Sequence, residues 1–295
     1  MSDQNTDLKH VSDDALKEMV MIQNRIKQLG VKEKSQTDFI EYVKHVWDGF
    51  IEGEHHKLFA EKLERVAQGK CKRLIVNMPP RHTKSEFASV FFPSWIMGLN
   101  PDMKIMQTTH TAELSARFGR KVRNLMDTDE YKQIFDKVSL SADSKSAGRW
   151  ETNKGGEYFA AGVGGAITGR GADLLIIDDP HSEQDALSPS ALESAYEWYT
   201  SGPRQRLQPG GIIVIVMTRW STLDLTEKLI KRMSEDHADQ WEILELPAIL
   251  EDNTPLWPGF WKIEELESVK ASIPISKWNA QYMQNPTSEE GALIK

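Results

Sequence analysis

The sequence predicts an α/β fold, a mostly parallel central sheet flanked by helices with an N-terminal helical extension, and three observations carry that reading. Apolar runs such as 74–76, 174–177 and 212–217 are continuous rather than alternating, the pattern of strands buried on both faces. Segments of helical period separate these runs, as in a sheet of βαβ units. Finally, Lys84, Asp178 and Thr218 each follow the end of a separate apolar strand. Sheets of this kind bind ligands beyond the carboxyl ends of their strands, so the three residues can converge at one edge.

Along the chain, Leu16, Met19, Val20, Ile22 and Ile26 recur at helical spacing and predict a helix over 13–28, stopped by Gly30 and lying outside the sheet. The stripe of Phe39, Ile40, Val43 and Trp47 predicts a second helix over 37–50, and 55–67 reads as a third. The strand 73–77 then breaks into a tight loop before a helix over 86–97. A strand at 104–108 and a helix at 112–126 follow. Short strands at 150–152 and 157–161 are joined through Lys154-Gly155-Gly156, a hairpin signal. Next come strand 172–177, helix 189–200, strand 212–217, helix 223–233 and strand 241–246. Beyond Glu251 the composition changes to proline-rich patches with short helices near 263–271 and 276–283, then a polar, turn-rich linker over 285–291. The expected organisation is a helical extension (1–35), a sheet domain (36–250) and a C-terminal subdomain and linker (251–295).

Composition narrows the function classes. With 39% hydrophobic and 27% charged residues, the 295-residue chain reads as an ordinary soluble domain with enough material for one large core. No apolar stretch is long enough to cross a bilayer, and the N-terminus lacks a secretory pattern, so an intracellular protein without membrane contact is expected. A single cysteine, Cys71, excludes an intrachain disulfide. The net charge of −8 gives no global attraction for nucleic acid. Any DNA contact would need a local basic surface, for which Lys70, Lys72 and Arg73, the group Arg117, Arg120, Lys121 and Arg123, or Arg204 and Arg206 are candidates.

The chemistry lies in the loop Met78-Pro-Pro-Arg-His-Thr-Lys84-Ser85 and in the strand end Asp178-Asp179. A loop ending in Lys-Ser at a helix start is a phosphate cradle: free backbone N–H groups, the positive end of a helix, and a full charge on lysine. An acidic strand end supplies the metal side of the same site. Together they specify a P-loop NTPase of the ASCE type, hydrolysing ATP with Mg²⁺. The usual glycines are replaced by Met78 and Thr83, and Pro79 and Pro80 remove two N–H donors. The expected ATP contacts are Pro80, Arg81, His82, Thr83, Lys84, Ser85 and Glu86. Lys84 should reach the β and γ phosphates, and Ser85 and Asp178 should hold Mg²⁺, Asp178 through water. Asp179 should activate the attacking water. Phosphoryl transfer also calls for an arginine at the γ-phosphate. Arg81 can serve from within the loop, and Arg170 either in its own subunit or in a neighbour's site. Thr218 and Arg219, just beyond a central strand, are placed to contact the γ-phosphate or the water, with Trp220 packing beneath.

These segments resemble a family. Lys72-Arg-Leu-Ile-Val-Asn-Met-Pro-Pro-Arg-His-Thr-Lys-Ser-Glu86, Gly162-Val-Gly-Gly-Ala-Ile-Thr-Gly-Arg-Gly-Ala-Asp-Leu-Leu-Ile-Ile-Asp-Asp-Pro180 and Val216-Met-Thr-Arg-Trp220 stand in the order seen in tailed-phage terminase large subunits. Trp278-Asn-Ala-Gln-Tyr-Met-Gln-Asn-Pro286 is similar to the segment before their nuclease domain. The resemblance spans roughly Gln36 to the end. It implies an ATPase motor driving double-stranded DNA into a procapsid as a homo-oligomeric ring on the portal protein, with the terminase small subunit as a further partner. It also implies action in the host cytoplasm, and a domain of this kind can be monomeric in isolation. The family's usual glutamate is replaced by Asp179. With the nuclease half expected beyond Lys295, the chain should package but not cut. The resemblance further suggests Gln36, Phe39 or the His55-His56 pair near the adenine, although the two histidines read better as helix-capping or solvated residues and are not counted among the expected site residues. A helicase or other DNA translocase of the same superfamily shares Lys84, Ser85 and the acidic pair. A docking module with a degenerate loop is the alternative from another class.

Overall fold

The computed structural model describes residues 13–165, 167 and 169–287. The linker beyond Thr287 and the first twelve residues lie outside the described residues. Three helices precede the sheet: α1 (Asp13–Thr37), α2 (Phe39–Val46) and α3 (Glu54–Ala67). Helix α1 does not stop at Gly30. Its last turns are tied down instead, because Trp95 Nε1 donates to the Ser35 carbonyl at 2.9 Å and Gln36 Nε2 donates to the Ile134 carbonyl at 2.7 Å. The break comes at Asp38, whose carboxylate accepts the Glu41 N–H at 2.9 Å and so caps α2. The stripe expected on α1 faces solvent, with Leu16, Met19, Val20, Ile22 and Ile26 each at least 50% exposed.

Strand β1 (Arg73–Asn77) leads into α4 (Lys84–Glu86), which continues through a π-helical turn (Phe87–Phe91) into α5 (Phe92–Leu99). Then follow β2 (Lys104–Thr109), α6 (Ala112–Met126), α7 (Asp129–Ile134), β3 (Leu140–Lys145), β4 (Arg149–Thr152), β5 (Glu157–Gly162) and β6 (Ala172–Asp178). After them come α8 (Pro189–Ser201), β7 (Leu207–Met217), α9 (Leu225–Arg232), β8 (Glu242–Glu245), α10 (Ile263–Ser272) and α11 (Ile275–Gln281). The eight described strands form one sheet in the order β3-β4-β5-β2-β6-β7-β1-β8. Pairing is parallel from β5 to β8 and antiparallel only for β3-β4 and β4-β5. Edge strand β3 was not anticipated. Its run Leu-Ser-Ala-Asp-Ser-Lys carries almost no apolar signal.

Alternation within the central strands builds a core on each face. Leu74, Val76, Leu174, Ile176, Val214 and Val216 join the layer with α2, α3, α5 and α6. Ile75, Leu175, Ile177, Ile213, Ile215 and Met217 join the opposite layer with α8 and α9. Burial on both sides explains why the strands read as unbroken apolar runs. A third, small cluster of Ala248, Leu266 and Trp278 holds the C-terminal helices. No described helix is long and apolar enough to cross a membrane.

The consequence for function is positional. Strand β7 lies between β1 and β6, so the loop after β1 and the acids ending β6 flank the end of β7 at one edge of the sheet.

Candidate nucleotide site

The loop after β1 is held in an unusual backbone shape. Arg81 and Thr83 both adopt left-handed conformations, with φ of 61° and 66°. Asp179, at the end of β6, does the same at φ 42°. Such residues cost about 1–3 kcal/mol each and persist where surrounding contacts impose them. Here the contacts are identifiable. The Asp179 N–H donates to the Val216 carbonyl at 2.9 Å, and the Met78 N–H donates to the Met217 carbonyl at 3.3 Å.

Lys84 begins the helix and is 8% exposed. Its Nζ lies 2.9 Å from Asp179 Oδ2. Burial works against the charge of Lys84, but Asp179 and Asp178 outweigh it and hold the ammonium above its ordinary range. Asp178 is buried at the same point. Ser85 Oγ donates to its Oδ1 at 3.0 Å and Ser89 Oγ to its Oδ2 at 2.7 Å. Gln107 Nε2 on β2 donates in turn to Ser89 Oγ at 3.0 Å. Burial, with the Asp179 charge adding to it, pushes the Asp178 carboxyl up to about 7, against the pull of Lys84 and the two hydroxyls.

Thr218 completes the junction. Its N–H donates to Asp179 Oδ1 at 2.9 Å and its hydroxyl to the Met78 carbonyl at 3.2 Å. The end of β7 thus holds one carboxylate oxygen of Asp179 while Lys84 holds the other. His110, at the end of β2, donates its N–H to the Asp179 carbonyl at 3.3 Å. Beside the loop opens a cavity of about 280 Å³, lined by Arg81 and Thr83 to Glu86 and, from α6, by Leu114, Arg117, Phe118 and Lys121. Its cations and exposed loop suit a polyanion.

Several sequence-expected residues stand elsewhere. The His82 ring is fully buried, its Nδ1 donating to the Pro80 carbonyl at 2.8 Å, and it stacks on Trp261 with ring centres 6.0 Å apart. Burial lowers its pKa to about 4, so the ring is a neutral packing group and leaves only its backbone to a ligand. Arg219 is a structural hub. Its guanidinium pairs with Asp224 Oδ2 at 3.0 Å, Glu227 Oε2 at 2.7 Å and Glu245 Oε2 at 3.5 Å, which corrects its expected place at the γ-phosphate. Arg170 precedes β6 whereas Asp178 ends it, which puts the length of that strand, about 20–25 Å, between them. Arg170 pairs with Glu157 and lies over the Phe159 ring at 4.2 Å, so a role within its own site is excluded by geometry. Phe39 is wholly in the core, and Gln36 is bound to Ile134, which removes both from adenine recognition. His55 and His56 are buried rather than solvated.

Sequence reasoning missed Ser89 and Gln107, and read Arg117 and Lys121 as a candidate DNA-contact group rather than as part of this cavity. Ser89 follows Ser85 by one helical turn, and Gln107 interrupts a buried apolar strand, so both left a readable trace. The α6 cations left only a charge cluster.

The donor set at Asp178 is a carboxylate and a serine hydroxyl, oxygen ligands that suit a hard divalent cation. Among the described residues no group of three or more His, Cys, Asp and Glu forms a self-sufficient metal centre. A magnesium ion that keeps waters and leans on phosphate oxygens needs none.

No protein-family profile and no curated protein sequence matches the chain. Solved structures do. The large terminase of bacteriophage HK97 aligns over 80% of this chain at 12% identity with a TM-score of 0.51. The chain spans about half of that protein, 51% of its length. The ATPase domain of the Thermus phage P74-26 large terminase, in an arginine-to-alanine variant, aligns over 84% of this chain and 98% of its own at 13% identity, again with a TM-score of 0.51. The chain therefore shares the fold of these solved domains.

Proposed function

We propose that this chain is the ATP-hydrolysing motor domain of a tailed-phage terminase large subunit, translocating double-stranded DNA into a procapsid. The observation that carries the proposal is the meeting of Lys84 with Asp179 at 2.9 Å and of Ser85 with Asp178 at 3.0 Å, from segments more than ninety residues apart. We read 1–35 as a helical extension, 36–250 as the motor domain and 251–295 as the C-terminal subdomain and linker.

In the proposed reaction the triphosphate enters at the loop and Lys84 turns from Asp179 to the β and γ phosphates. Ser85 and Asp178 would hold Mg²⁺, which neutralises phosphate charge when bound. Freed of its lysine, Asp179 accepts the proton of the attacking water, its other oxygen still fixed by the Thr218 N–H. Arg81, exposed on the loop, supplies charge to the γ-phosphate in cis. Arg170 lies at the opposite edge of the sheet and reaches a γ-phosphate only across a subunit boundary, which fits a homo-oligomeric ring. Portal protein and the terminase small subunit are the remaining proposed partners, and the host cytoplasm the place of action.

The test is ATP turnover by the purified chain with Mg²⁺, with and without duplex DNA. Hydrolysis that disappears in Lys84→Ala supports the reading. Absence of both nucleotide binding and turnover in the wild-type chain leaves the docking-module alternative standing.

A further inference from the structure

We infer that His56 is a positioning residue for the phosphate loop: it clamps Thr83 in the left-handed conformation that glycine ordinarily supplies. The inference rests on the nucleotide site proposed above and adds a residue from outside its motifs.

Thr83 occupies the position just before the lysine, with φ 66° and ψ 14°. A β-branched residue resists that conformation, so something must hold it there. The hydrogen bonds around His56 identify the holder and fix its tautomer. His56 sits in the first turn of α3, where its Nδ1 accepts the Gly53 N–H at 2.9 Å. Nδ1 is therefore the unprotonated nitrogen and Nε2 carries the hydrogen. Nε2 lies 2.7 Å from Thr83 Oγ1 and donates to it. Thr83 Oγ1 then spends its own hydrogen on the His82 carbonyl at 2.6 Å. Every donor in this relay has one acceptor, and the chain ends on the loop backbone next to Lys84.

The ring itself is immobile. It is 1% exposed, stacks on Phe87 at 4.9 Å and meets the edges of Phe50 at 4.8 Å and Trp257 at 5.0 Å. Burial keeps it neutral, the only state in which Nδ1 can accept. The relay also has a sequence logic. A threonine hydroxyl gives the loop a handle that glycine lacks, and the cap of α3 aims a donor at it.

A double-mutant design tests the clamp through turnover and through stability. His56→Ala should lower ATP turnover roughly tenfold, because the loop lysine loses its fixed approach. Thr83→Val keeps the branch but deletes the hydroxyl; it should cause a similar drop, and combining the two should add little. In a Thr83→Gly background, where φ is unconstrained, His56→Ala should change turnover by less than about twofold relative to Thr83→Gly alone. Equal losses from His56→Ala in the threonine and glycine backgrounds, or a harmless Thr83→Val, would overturn the clamp. Thermal unfolding without nucleotide should show the same non-additivity between His56→Ala and Thr83→Val. That readout judges the clamp even if the wild-type chain neither binds nor hydrolyses ATP, a result that would defeat the proposed function instead. Strict additivity in unfolding would overturn the clamp.

Discussion

Lys84 Nζ is paired with Asp179 Oδ2 at 2.9 Å, so without nucleotide the loop's cation neutralises the acid proposed to activate water. On the proposed reading the pair is an internal stand-in for phosphate: an incoming triphosphate would take the lysine and in doing so free the carboxylate. Substituting Lys84 should abolish turnover while the fold persists. Lys84→Ala is expected to show background ATPase activity with an unchanged far-ultraviolet circular dichroism spectrum. Wild-type turnover in this variant would remove the lysine from the mechanism.

Asp179→Asn should separate binding from chemistry. The amide still accepts the Thr218 N–H but cannot take a proton, so affinity for Mg·ATP should hold while turnover falls about 10²–10⁴-fold. Equilibrium binding and steady-state kinetics on one preparation check both halves. The neighbouring carboxylates are engaged elsewhere: Asp185 accepts from Ser182, and Glu183 pairs with Lys277. Full activity in Asp179→Asn would nonetheless move the role to one of them.

Arg170 should act between subunits. Mixing Arg170→Ala with Lys84→Ala chains is expected to restore turnover, since a mixed boundary joins an intact loop to an intact arginine. The activity of the mixture against each parent is the readout. Failure to restore it would leave Arg170 with only its local pairing to Glu157.

Arg219 should matter for stability. It is 4% exposed and ties β7 to Asp224, Glu227 and Glu245, so Arg219→Ala leaves the fully buried Asp224 without its cation. A loss of about 3–5 kcal/mol is expected in urea unfolding. A change below about 1 kcal/mol would contradict the hub.

Acid should destabilise the fold through its buried histidines. Burial lowers the pKa of His55 to about 3, His56 to about 2 and His82 to about 4, whereas the unfolded chain titrates near the ordinary 6.5. Between those limits the unfolded state binds more protons, so stability falls as pH drops below 6.5, by about 1.4 kcal/mol per pH unit for each ring. Asp178, raised to about 7, works in the opposite sense below that pH. Three histidines against one carboxyl leave a net loss of roughly 3 kcal/mol per pH unit at its steepest. Melting temperatures at pH 7.5, 6.5 and 5.5 should decline accordingly. A flat profile would contradict the buried neutral cluster.

How much was legible follows from what a sequence encodes. Buried parallel strands announce themselves as apolar runs, so the ends of β1, β6 and β7, and with them Lys84, Asp178 and Thr218, could be located along the chain. What a linear pattern lacks is the edge of the sheet a residue faces and the direction its side chain takes. Arg170 and Asp178 are eight residues apart, yet a strand carries them to opposite edges. Arg219 follows Thr218 directly, yet three carboxylates claim its guanidinium. His56 was invisible as a loop residue because its partner Thr83 is 27 positions away. Gly30 signalled a helix stop that tertiary anchoring of Ser35 and Gln36 overrode.

Calorimetric titration of Mg·ATP into the wild-type chain and into Lys84→Ala asks most directly whether these converging segments form a triphosphate site. Saturable one-to-one binding by the wild type, weakened at least tenfold by the substitution, is the predicted result. Binding that is absent from the wild type, or equally strong in Lys84→Ala, would contradict it.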